Sequence, residues 1–156
     1  IPLFHSQIAG GGPLTLTTED MTRFLLTLDD AVDTIFTALR EAKVGETYVP
    51  RAPSARIRDL ADALIGDRNL GVKVTGIRPG EKVHEILVSE EERHRCIVRR
   101  GYSVIKPILP ELCDTTCEKM TGAAYSSADN VLDREALCEL LDKHGLRSPE
   151  EQEPAA

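Results

Sequence analysis

The stretch Val72-Lys73-Val74-Thr75-Gly76-Ile77-Arg78-Pro79-Gly80-Glu81-Lys82 decides the fold class, because it joins a strand to a charged turn. Apolar and polar residues alternate from Val72 to Ile77, the pattern of a half-buried strand. Gly76, Pro79 and Gly80 then break it. Immediately before lies a helical pattern with Ile57, Leu60, Ala61 and Leu64 on one face, Ser54 as its expected cap and Gly66 near its end. The same order occurs earlier in the chain. From Asp29 the residues Val32, Ile35, Phe36 and Leu39 recur at helical spacing, with Asp29 or Asp30 as cap and Gly45 as stop, and Thr47-Tyr48-Val49 reads as a strand that Pro50 ends. Two helix-then-strand units in succession predict a mixed α/β layer.

The flanks add less. Gly10-Gly11-Gly12-Pro13 is a breaker, and Leu14 to Asp20 reads as a loop with a short extended piece. Ser89 followed by Glu92 has the form of a capping box, so a short acidic helix is expected there. Tyr102 to Ile105 reads as a strand ended by Pro107, and Glu111 to Gly122 shows no period. The last predicted element is a helix from Asp133 to His144, with Leu137, Leu140 and Leu141 on one face and Gly145 as stop. Ser148 to Ala156 is acidic and lacks apolar anchors, which predicts a disordered tail. The apolar opening at Ile1, with no methionine and no capping residue, reads as the middle of a longer protein.

Composition excludes several classes. The chain has 156 residues, enough for one core without staples, and carries a net charge of −7 with its cations dispersed. Dispersed cations in an acidic chain argue against a nucleic-acid footprint. No apolar run approaches the roughly 20 residues that a membrane span requires, and no export signal is visible. A cytoplasmic protein is expected. The four cysteines, Cys96, Cys113, Cys117 and Cys138, are irregularly spaced and read as reduced thiols. Cys113 and Cys117 have no second pair at finger spacing, so no metal site is expected.

Two segments could carry chemistry. In the turn from Gly76 to Lys82, Arg78 and Lys82 bring cations to one bend. Arg78 could grip a phosphate through its planar fork, while Glu81 suits a hydroxyl pair such as a ribose. The same residues also make an ordinary surface turn with an internal ion pair. In Leu16-Thr17-Thr18-Glu19-Asp20-Met21-Thr22-Arg23-Phe24, Arg23 stands among hydroxyls and apolar residues. A partner is required, either a ligand phosphate or Glu19, Asp20 or Asp29.

Other signals are weaker. Tyr102 and Lys106 have the Tyr-x-x-x-Lys spacing that a helix holds about 6 Å apart for proton transfer. Val104, Ile105 and Pro107 favour a strand, which would separate the pair by about 13 Å. His84 beside Glu85 reads as a solvated helix start, and His5, His94 and His144 lack chemical company. Neither a Gly-x-Gly-x-x-Gly loop nor a Walker loop occurs.

In order along the chain, Ile1-Pro2-Leu3-Phe4, Leu14-Thr15-Leu16-Thr17, Met21-Thr22-Arg23-Phe24, Tyr48-Val49-Pro50, Gly76 to Glu85 and Ser89-Glu90-Glu91-Glu92 resemble the C-terminal half of bacterial UDP-N-acetylglucosamine dehydratases and related epimerases of polysaccharide biosynthesis. Tyr125 to Asn130 resembles the C-terminal extension of capsule-type members. The resemblance covers roughly residues 1 to 145. It implies a small mixed α/β substrate-binding domain of an extended short-chain dehydrogenase/reductase, without its Rossmann domain. The implied organisation is a nucleotide-sugar-binding domain over 1–112, a C-terminal extension with one helix over 113–146, and a tail over 147–156.

The resemblance also implies roles. Arg23 and Arg78 match the family's pyrophosphate-binding arginines, Glu81 its ribose-contacting carboxylate, and Leu16, Thr17 and Met21 the segment against the uracil. The family's NADP-binding loop and its catalytic Tyr and Lys match nothing in this chain, so neither cofactor nor catalytic residue is expected here. A UDP-sugar is the implied ligand, with a cofactor-binding domain or a second copy as partner. The alternative is a stand-alone oligomerising or partner-binding module that has lost nucleotide binding.

Overall fold

The computed structural model describes residues 1–112 and 122–147. Cys113, Cys117 and the acidic tail expected from Ser148 lie outside the described residues. Along the chain come helix α1 (Pro2–Ala9), strands β1 (Leu14–Leu16) and β2 (Thr22–Phe24), and helix α2 (Leu28–Glu41). Strands β3 (Thr47–Val49) and β4 (Ser54–Arg56) precede helix α3 (Ile57–Ile65). Strands β5 (Val72–Val74), β6 (Ile86–Val88), β7 (Cys96–Arg99), β8 (Tyr102–Ile105) and β9 (Tyr125–Ser126) come next, and helix α4 (Arg134–Lys143) is the last element described. The mixed α/β class expected from the helix–strand alternation is the observed one.

The chain folds as two compact units. The first comprises residues 1–23, 54–84 and 130 onward. Its parallel pair β1–β5 sets Leu14 opposite Val72 and Leu16 opposite Val74. Parallel neighbours need a crossover, and α3 lies in the connection. Leu14 and Leu16 are buried with Leu60, Ala61 and Leu64 of α3 and with Leu137 and Leu141 of α4. Val74 is 47% exposed, so β5 is less covered than the alternation suggested. Among the described residues β5 pairs with β1 alone, as the outer strand of a two-stranded sheet.

Ser54 does not cap α3. It is a strand residue whose hydroxyl donates to the Asn130 carbonyl at 2.9 Å, and its own carbonyl accepts from the Leu132 N–H at 2.8 Å. The first N–H of α3, that of Ile57, donates to the Met21 carbonyl instead. A tertiary acceptor thus satisfies an orphan donor that a cap would otherwise serve. α4 follows the local rule, with the Asp133 carboxylate accepting from the Ala136 N–H at 2.9 Å.

The second unit comprises residues 24–53 and 85–129. Its sheet has the order β3-β8-β7, all antiparallel. The β7–β8 hairpin turns through Arg100 and Gly101, both at positive φ, as a two-residue turn matched to strand twist requires. Val49, Val88, Cys96 and Ile105 form its core, with Tyr125 packed against them. The Ser89–Glu92 capping box forms in both directions, but the element it opens is a 3-10 turn over Glu92–Arg95 and not an α-helix. Helix α2 is capped by Thr27, whose hydroxyl accepts from the Asp30 N–H, and not by Asp29 or Asp30.

Candidate functional site

The turn at Arg78 has a defined geometry. Pro79 sets φ at its second position, Gly80 takes φ +85 at its third, and the Glu81 N–H donates to the Arg78 carbonyl at 3.0 Å. These are the features of a type II turn, and positive φ is what makes glycine the fitting residue at position 80. The Glu81 carboxylate accepts from the Arg78 backbone N–H at 2.9 Å, closing the turn from the other side. The Arg78 side chain is exposed.

Both arms of the loop that bears this turn are fastened to the segment Leu16–Arg23. On the near arm the Leu16 carbonyl accepts from the Thr75 N–H at 2.7 Å and from the Thr75 hydroxyl at 3.0 Å, and the Thr17 carbonyl accepts from the Gly76 N–H at 3.1 Å. On the far arm the Thr22 N–H donates to the Val83 carbonyl at 3.0 Å, and the Thr22 hydroxyl meets His84 Nδ1 at 2.8 Å. The Arg23 guanidinium donates to the carbonyls of Thr22, Val83 and Lys82, at 2.7, 3.1 and 2.9 Å. The two segments singled out from sequence therefore meet, though about sixty residues apart, as the 59- and 60-residue separations of the Arg23 bonds record.

The six candidate residues are not equivalent. Leu16 and Met21 are buried, so their side chains belong to the core, and what they present to the loop or to α3 is backbone carbonyl. Arg23, for which a carboxylate or a phosphate was the expected partner, is anchored on main-chain oxygens. Glu19 instead pairs with Arg58 at 3.4 Å. His84, expected at a solvated helix start, is a half-buried partner of buried Thr22, and β6 comes after it.

The Tyr102–Lys106 pair has no catalytic geometry. Tyr102 begins β8 and its ring lies 5.7 Å from that of Tyr48. The Lys106 ammonium is held by Glu46 at 3.0 Å. Glu46 was not singled out from sequence, yet it is the centre of a buried ion cluster: its side chain is 1% exposed and takes two N–H bonds from Arg99, at 2.8 and 3.0 Å. Burial pushes this carboxyl up, but hydrogen bonds from Arg99, the Lys43 N–H and Lys106 outweigh it and hold the carboxyl at about 2. The same pairing raises the Arg99 guanidinium. No sequence signal marks the cluster, because its members come from three separate segments. Among the described residues no group of His, Cys, Asp or Glu could hold a metal ion.

Residues 1–107 match the family described as polysaccharide biosynthesis protein. The chain belongs to that family. It is 38% identical over 108 residues to a UDP-N-acetylglucosamine 4,6-dehydratase (inverting) of Campylobacter jejuni, covering 69% of this chain and 32% of that protein. It is 41% identical over 104 residues to a UDP-glucose 4-epimerase of Rickettsia massiliae, covering 65% and 30%. An uncharacterized membrane protein of Methanocaldococcus jannaschii is 41% identical over 101 residues, covering 59% and 30%. Among the described residues of this chain no helix is long and apolar enough to cross a membrane. The X-ray structure of Pen from Bacillus thuringiensis superposes with a TM-score of 0.81 at 27% identity, covering 93% of this chain and 45% of that one. The chain thus spans about a third of the length of these curated relatives.

Proposed function

We propose that the first unit binds the nucleotide diphosphate part of a UDP-sugar, as the substrate-holding portion of a dehydratase or epimerase of polysaccharide biosynthesis. One observation carries this reading: the turn bearing Arg78 and Glu81 is fastened at both arms to Leu16–Arg23, so Leu16, Thr17 and Arg23, which match family nucleotide contacts, meet the loop that carries Arg78 and Glu81. A loop fixed in advance loses little entropy when an anion docks. Arg78 is the exposed cation that grips the pyrophosphate, and Arg23 adds charge at the base of the loop. Glu81 accepts from the ribose hydroxyls, and the Leu16–Thr17 segment with Met21 behind it flanks the base.

Tyr102 and Lys106 do not fit the proton transfer that accompanies NADP chemistry. Tyr102 lies on a strand and the Lys106 ammonium is bound by Glu46, so the pair cannot pass a proton as a helical Tyr–Lys pair does. The role proposed for this chain is therefore holding the nucleotide and not proton transfer by Tyr102 and Lys106. Buried Cys96 and half-buried Cys138, both free thiols, agree with a reducing cytoplasm.

Titration calorimetry with UDP and with UDP-N-acetylglucosamine tests the reading. A dissociation constant in about the millimolar range or tighter is expected, abolished by Arg78→Ala and weakened by Glu81→Gln, which keeps the acceptor for the Arg78 N–H. Absence of heat with both ligands at millimolar concentration would sink independent binding.

A further inference from the structure

The two arms of the Arg78 loop are fastened by different means. On the near arm the acceptors are the main-chain carbonyls of Leu16 and Thr17, met by the N–H groups of Thr75 and Gly76 and by the Thr75 hydroxyl. Main-chain bonds survive most substitutions. On the far arm side chains do much of the fastening. The Arg23 guanidinium reaches the carbonyls of Lys82 and Val83, and the Thr22 hydroxyl meets His84 Nδ1 at 2.8 Å. Through Thr22 and Arg23, β2 thus holds three consecutive residues, Lys82, Val83 and His84.

The Thr22–His84 bond is the part of this fastening that depends on two side chains at once. Thr22 is 3% exposed, and a hydroxyl buried to that degree loses stability when a hydrogen-bond partner is taken away. His84 is half-buried and 62 residues further along, so the bond pins the loop to a strand and not to its own neighbours. The carbonyls that hold Arg23 are neutral, and bonding to them cancels none of its charge. Where that charge lies therefore depends on where Lys82 and Val83 lie.

We infer that His84 is a positioning residue for the nucleotide site, acting through Thr22. Their bond seats the far arm, and the seated arm places both the Arg23 guanidinium and the turn that carries Arg78. The inference takes its ligand from the nucleotide reading above, while its mechanics rest on the bonds themselves. Nδ1 lies on the backbone side of the imidazole, within the reach of an asparagine amide and beyond that of an alanine. Asparagine should therefore stand in for His84, and alanine should not.

The whole chain is compared with its His84→Ala, His84→Asn, Thr22→Val and Thr22→Val/His84→Ala forms, by calorimetry with UDP and by amide hydrogen exchange without nucleotide. His84→Ala should weaken UDP binding about tenfold, the scale of one hydrogen bond to a buried group, and His84→Asn should restore most of it. Thr22→Val should act like His84→Ala, and the double form should cost no more than either, because each removes the same bond. In the free chain the Thr22 amide, which donates to the Val83 carbonyl, should exchange faster in His84→Ala, while the Thr75 and Gly76 amides keep their protection. Equal loss at Thr75 and Gly76 would overturn the inference, since the pair would then stabilise the whole unit and not one arm. Additive losses in the double form, or an unchanged Thr22 amide, would overturn it as well. A wild-type chain that gives no heat with UDP yet shows this exchange pattern would sink the nucleotide reading and leave His84 as the residue that seats the arm.

Discussion

Helices α2 and α3 read alike in the sequence and end differently. Both carry large apolar residues at helical spacing. α3, nine residues long, buries Leu60, Ala61, Ala63, Leu64 and Ile65. α2, at fourteen residues, buries none. The contrast teaches that amphipathicity records a face that must be covered and says nothing of what covers it. For α3 the cover is β1, α1 and α4 of its own unit. α2 has β3 as its neighbour, leaves only Ala31, Thr34, Thr37, Ala38 and Glu41 half-buried, and keeps its large apolar stripe exposed.

Stability measurements can break or sharpen this contrast. Leu64→Ala, at a position 2% exposed, should lower the unfolding free energy by about 3–4 kcal/mol in urea denaturation, through lost transfer energy and the cavity left behind. A cost below about 1 kcal/mol would mean that α3 is not the buried helix of the pair.

In the second unit, where no residue of α2 is buried, Glu46 is the buried carboxylate that Arg99 and Lys106 share. Glu46→Gln should cost about 2–3 kcal/mol, because the side chains of Arg99 and Lys106, only 19% and 12% exposed, would be left without their carboxylate. The carboxyl is depressed from 4.5 to about 2 in the fold, so the unfolded chain binds the proton first as pH falls. Stability from this group is therefore full above about 4.5 and is lost as pH drops toward 2. A wild-type acid titration steeper than that of Glu46→Gln across this window checks the sign.

Thr27→Ala should cost about 1 kcal/mol, read as faster exchange at the Asp30 amide, since α2 without burial relies on its cap. The smallest effect is expected for Leu39→Ala on α2, within about 0.5 kcal/mol in the isolated chain. A loss as large as that of Leu64→Ala would show the stripe to be covered after all.

Local signals are legible in this sequence and non-local ones are not. The strands Thr47–Val49 and Tyr102–Ile105, the capping box Ser89–Glu92 and the cap Asp133 depend on residues within a few positions of one another, and all four form. Helix α1 gives little local signal because it has no side-chain cap, only a proline in its first turn. Ser54 reads as a cap because the partners that make it a strand residue, Asn130 and Leu132, lie far along the chain. The candidate site is legible as two segments, 16–23 and 76–82, whose meeting no spacing rule could foretell.

Sequence by itself determined the mixed α/β class, the turn chemistry of Arg78-Pro79-Gly80-Glu81 and the amphipathic faces of the helices. Those arise from backbone sterics and side-chain period, which act over a few residues. Tertiary structure alone decided that Arg23 is anchored on the carbonyls of Lys82 and Val83, that Glu46 gathers Arg99 and Lys106, and that α3 is covered where α2 is not. Each of these depends on which distant groups arrive beside a side chain, and a charge or an apolar face accepts whichever partner the whole fold delivers.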